Sequence, residues 1–238
     1  MLATAILAQQ LEHYHQLCFL QSVPLATQLE EVLVWQKQRM KRIHQPLFTL
    51  PHYQKISIFL LDHLYSHAEI IGLVNQLDKA LKEHVKLDRF LSKSILDAAI
   101  LSFELAYLTL KLDQEIARYL LDQQLKTNTD NIHRAIIELN QYDSRQQQLS
   151  LLAKLSTALY KYSHSLLIQT AFKFAKTTAY RRQFNFLYDY LSIAFTAVRA
   201  TPQTKSFFKA FIQQEIVYLD QVTATNASLN LAMRSSFS

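Results

Sequence analysis

A single glycine, Gly72, in 238 residues leaves this chain few ways to turn sharply. Average usage would place about 17 glycines in such a length. Tight hairpins depend on glycine at positive φ, and the Walker and dinucleotide fingerprints each need several glycines to cradle a phosphate. Runs of β-branched residues with period two are also missing, whereas helix-starting signals recur along the chain. The expected fold is all-α, a mostly antiparallel bundle of about seven to nine helices joined by short connections. Residues 1–225 read as a single helical domain and 226–238 as a polar, flexible tail.

Hydrophobic residues make up 50% of the chain and charged residues only 18%. Many helix faces must therefore be covered by neighbours. A net charge of +6 favours anionic partners without specifying one. The lone cysteine, Cys18, has no internal partner, which suits a reducing, cytoplasmic setting. It lies in the apolar run Leu17-Cys18-Phe19-Leu20, where a buried, inert thiol is expected. The apolar start Met1–Ala8 has no preceding basic stretch, so no signal peptide is expected. The most apolar segment, Ile95–Leu110, is interrupted by Asp97 and Glu104, so no membrane span is expected.

Prolines and capping residues delimit the helices. Ser22-Val23-Pro24 opens one that runs to about His44, and Pro46 and Pro51 bracket a loop over Gln45–Leu50. Ser66-His67-Ala68-Glu69 has the form of a capping box, which predicts a break before a helix over Glu69–Val85. Ser94-Ile95-Leu96-Asp97 opens a long helix to about Gln124. After a loop at Lys126–Asn131, capped by Thr129 or Asp130, the pattern predicts a short helix and then a break at Asp143-Ser144. Long helices follow from Arg145 to Lys176, from Tyr180 to Arg199, and from Pro202 to Thr223. Ile56–Tyr65, Ile95–Leu112 and Phe184–Val198 are the most apolar segments and read as central. Gly72 falls inside a helix, where close packing against another helix is the expected reason for it.

The segment His52-Tyr53-Gln54-Lys55-Ile56-Ser57-Ile58-Phe59-Leu60-Leu61-Asp62-His63-Leu64-Tyr65 resembles the signature of the bacterial FFLEELY-motif proteins. Phe59, Leu61, Leu64 and Tyr65 match; Leu60 replaces a phenylalanine, Asp62 stands for a glutamate, and His63 departs from a second glutamate. Trp35-Gln36 upstream, Glu104-Leu105 and Leu112-Asp113 in the middle, and Phe186-Leu187, Ala194-Phe195 and Arg199 later are similar to further family segments. The resemblance spans about Trp35 to Glu215. It implies a helical cytoplasmic protein and brings no activity with it. The departure at His63 speaks against an obligatory carboxylate pair.

Asp62, His63 and Glu104 are the candidate buried polar site. Ile58, Phe59 and Tyr65 surround Asp62 on a helix, and Ile100, Leu101, Tyr107 and Leu108 surround Glu104, so a buried charge there would need a partner. A structural ion pair tying the helix to another is the favoured reading of such a residue, since structural pairs perturb carboxylates as readily as active sites do. No metal site is expected. Glu12 and His15 form the one Glu-x-x-His pair, and His63 and His67 lack further ligands. No cofactor is implied, and Ser163-His164-Ser165 is an adjacency without the spatial partners of a triad.

Two basic clusters, Lys37, Arg39, Lys41 and Arg42 beside Trp35, and Lys173, Lys176, Arg181 and Arg182 around Tyr180, are candidate anion-binding surfaces. A solvated helix face is the plainer and favoured reading of them. With no complete catalytic constellation, the first expectation is a non-enzymatic protein-interaction or binding module with a protein partner. The alternatives are binding of RNA, the ribosome or an anionic membrane through the basic clusters, and a small-ligand or metal site around Asp62, His63 and Glu104.

Overall fold

The computed structural model describes residues 3–82 and 93–235, with side chains described over 5–82 and 93–224. Its α-helices are α1 (Ala3–His15), α2 (Val23–Ile43), α3 (Gln45–Phe48), α4 (Gln54–Ile58), α5 (His67–Lys82), α6 (Lys93–Asp122), α7 (Thr129–Glu138), α8 (Tyr142–Ser163), α9 (Leu166–Arg181), α10 (Asn185–Arg199) and α11 (Thr204–Ser235). Two 3-10 turns, Cys18–Gln21 and Pro51–Tyr53, and a π-helical segment, Phe59–Leu64, complete the order. No strand occurs among the described residues.

The fold is all-α as expected, but eleven α-helices are described instead of seven to nine. Local chemistry accounts for the extra divisions. Ser165 caps a new helix by accepting a hydrogen bond from Ile168 N, so the helix expected over 145–176 is split into α8 and α9. Pro46 sits in the first turn of the four-residue α3 and not in a loop. Asn128, not Thr129 or Asp130, caps α7. The break expected at Asp143-Ser144 falls instead at Asn140 and Gln141, before α8. The helix expected to end near Thr223 continues to Ser235. The break at Ser66 is present, with Ser66 Oγ accepting from Glu69 N at 3.4 Å. The end of the helix expected over 69–85 lies partly outside the described residues.

Helix α6 forms the centre, packed against α1, α2, α7 and α8, while α8 also supports α10 and α11. The three segments read as central are indeed heavily buried, including Ile56, Phe59, Leu60, Ile95, Leu110, Leu191 and Val198. Each such side chain contributes about 1.5–3 kcal/mol by leaving water. Gly72 packs against α10: a methyl group there would collide with the tip of the Phe186 ring.

Three helix ends show how the chain manages without glycine. Gln124, Asn140 and Gln183 occupy the left-handed position at φ 52°, 49° and 61°. Each is followed by the six-to-one hydrogen bond of a Schellman stop: Leu125 N to Leu120 O, Gln141 N to Ile136 O, and Phe184 N to Ala179 O.

Candidate functional site

A continuous chain of polar groups crosses the interior between α2, α6, α8, α11 and the end of the π-helical segment. His44 is fully buried and stacks on Phe211 at 4.1 Å between ring centres. Its Nε2 donates to Glu215 Oε1 at 2.6 Å, and its Nδ1 lies 2.6 Å from Gln214 Oε1. Arg39 reaches the same Glu215 carboxylate with both terminal nitrogens, at 2.9 and 2.8 Å, and covers the Tyr218 ring at 4.3 Å. Arg39 Nε donates to Gln36 Oε1, and Gln36 Nε2 donates to Asp113 Oδ1. Asp113, 0% exposed, also accepts from Arg145 at 2.7 Å and from the Tyr65 hydroxyl at 2.6 Å.

Local folding delivers each of these groups. The π-helical turn, closed by Tyr65 N donating to Leu60 O, ends at the residue that reaches Asp113. Gln141, just before α8, donates to the Leu112 carbonyl and to Glu115, and accepts from Arg145, which fixes the guanidinium against α6.

Electrostatics follow from this pairing. Burial alone would raise the Glu215 pKa, but the Arg39 charge and the hydrogen bonds from His44 and Arg39 outweigh it and hold the carboxyl at about 2. Burial, followed by the Asp113 charge and its hydrogen bond, pushes the Tyr65 hydroxyl well above its ordinary value. A cavity of about 90 Å³ opens beside the network, lined by Arg39, Tyr65, Thr109, Arg145, Gln148 and Glu215 among apolar walls. Its two arginines each have a carboxylate, and Gln148 donates to Thr109 at 2.6 Å. Such a volume holds a few waters.

The candidate polar site read from the sequence is not assembled. Asp62 is half exposed and pairs with Lys37 at 2.6 Å, and the Lys37 hydrogen bond lowers its pKa. Ile58, four residues earlier, is 47% exposed, so the two mark the outer edge of a segment expected to be buried all round. His63 pairs instead with Glu69 at 3.0 Å. Glu104 is partly buried, and neither it nor Asp62 lines the cavity. His67 lies edge-on to Phe19, and burial lowers its pKa. His15 contacts Asp78. Among the described residues no three of His, Cys, Asp and Glu gather in a way that could hold a metal ion. Cys18 is exposed and not buried, because the turn Cys18–Gln21 directs its neighbours Leu17 and Phe19 inward.

The first basic cluster is divided. Arg39 is buried in the network, Lys37 is paired with Asp62, and Lys41 and Arg42 remain exposed. The second stays on the surface: Lys173, Lys176, Arg181 and Arg182 are all exposed. They lie on or just after α9, which contains no carboxylate and buries only Phe172. The same helix exposes Leu166 by 79%, Leu167 by 81% and Phe174 by 79%. The charges here are visible in the sequence, but the apolar exposure is not, since Leu166, Leu167 and Phe174 look like core residues in a long helix.

A family profile described as a domain of unknown function (DUF8198) covers residues 18–229. The chain belongs to this family. The DUF8198 span takes in the whole polar network, from Gln36 to Glu215, and all of α9. No curated protein and no solved structure matches the chain. Among the described residues, no helix of this DUF8198 member is long and apolar enough to cross a membrane.

Proposed function

We propose that this chain is a non-enzymatic binding protein whose working surface is the outer face of α9. The exposure of Leu166, Leu167 and Phe174 on a basic helix carries this reading. Large apolar side chains grouped on a surface and rimmed by polar groups mark interaction sites. The interior supports the same division of labour. Its cations are matched by carboxylates, which suits a clasp between helices better than a reaction centre. Interaction with RNA through the first basic cluster is less favoured, because Arg39 and Lys37 are already engaged. The resemblance of Phe59–Tyr65 to the FFLEELY-motif proteins and a cytoplasmic setting belong to this proposal.

A photo-crosslinking amino acid in place of Phe174, in the full chain expressed in its host, tests the reading. Adducts should form there and not at a control position such as Arg118, which is exposed on α6. No adduct at Phe174, or equal labelling at both positions, would overturn it.

A further inference from the structure

We infer that the partner of α9 is an anionic lipid surface, on which the helix lies with Leu166, Leu167 and Phe174 inserted among the headgroups. The inference rests on the proposed role of α9 and names its occupant. Spacings of four, four, three and four residues place Leu166, Thr170, Phe174, Thr177 and Arg181 along one line of the helix. Leu167 points the same way as Phe174, two turns earlier, and Phe172 lies on the opposite side, where it stacks on Tyr188 at 4.3 Å. The outward line is therefore apolar at its start and middle, with small hydroxyl residues between and a cation at its end. Lys173 flanks it, and Lys161 stands exposed in the last turn of α8, at the corner that leads into Leu166.

This arrangement matches the chemistry of a membrane interface. Apolar side chains enter the acyl boundary while long cationic side chains reach the headgroups. A helix of 16 residues, about 24 Å long, lies along such a plane without spanning it. The other occupants fit less well. A second copy docked through the same face would bring one cationic helix against another, with no carboxylate on either helix to meet the cations. A nucleic acid would contact the cations but gain little from two leucines, which neither stack on bases nor bind phosphate.

Flotation of the full chain with vesicles tests this. The chain should float with vesicles of phosphatidylcholine mixed with an equal amount of phosphatidylglycerol, weakly with phosphatidylcholine alone, and less as salt is raised. The triple variant Leu166→Gln, Leu167→Gln, Phe174→Gln and the double variant Lys173→Glu, Arg181→Glu should each bind at least about tenfold more weakly. Unchanged thermal unfolding would show that both variants still fold. Failure of the folded chain to float with the mixed vesicles, or equal flotation of either variant, would overturn the inference. The crosslink at Phe174 separates the two levels. An adduct with an acidic protein or with RNA, and none with lipid, removes the lipid surface and leaves the role of α9 standing. The absence of every adduct removes both.

Discussion

At the scale of single residues, positive φ is borne by side chains that pay for it. A left-handed conformation costs an L-residue about 1 kcal/mol or more, which glycine avoids. Gln124, exposed at the end of α6, should tolerate Gln124→Gly with a gain of about 0.5–1 kcal/mol, measurable by urea unfolding. Gly72 presents the opposite case. Gly72→Ala improves helix propensity by about 1 kcal/mol but drives a methyl group into Phe186. It should destabilise the native chain and stabilise a Phe186→Ala background, a reversal that a double-mutant cycle measures directly. Tyr65→Phe leaves a buried carboxylate one hydrogen bond short and should cost about 1.5–3 kcal/mol in the same assay.

At the scale of elements, α2 carries two kinds of basic residue within three positions. Lys37→Ala breaks a half-exposed pair and should cost under about 1 kcal/mol. Arg39→Ala leaves the buried Glu215 carboxylate with His44 alone and should cost about 3–5 kcal/mol in denaturant unfolding. Comparable losses for the two would contradict this placement. The sequence presents both as one charged run, since periodicity shows which face a residue occupies but not which face meets a distant carboxylate. Helix starts were legible at Ser22 and Ser66, where a side chain caps the backbone, but not at Ser165, whose cap lies inside a run that reads as one continuous helix. The π-helical turn was not, because its widened register follows from packing and leaves no mark on composition. Asp113 could have been found by the reasoning applied to Asp62. Its helical neighbours Thr109, Leu110, Ile116 and Ala117 are all buried. Asp62 and Tyr65 share one short segment, yet Tyr65 reaches Asp113 while Asp62 faces out.

At the scale of the whole molecule, the network makes stability depend on acid in a defined window. The Glu215 carboxyl, held at about 2 against an ordinary value of 4.5, is ionised in folded and unfolded chains alike at neutral pH. As pH falls below the ordinary value, the unfolded chain takes up the proton first. The stabilisation from this residue is thus lost between about pH 4.5 and 2, and amounts to about 3 kcal/mol. Urea unfolding near neutral pH and at about pH 3 should show a steeper loss in the native chain than in Glu215→Gln. The same pairing spans the molecule in chain order. Arg39 and Glu215 are 176 residues apart. A ribosome adding about 5–20 residues per second delivers the carboxylate about 10–35 s after the guanidinium. Throughout that interval the emerging chain holds a cation, and His44 beside it, that cannot leave water without their counterpart. Closure of this core therefore waits for α11, and the helices made before it cannot seal the bundle around Arg39 until it arrives.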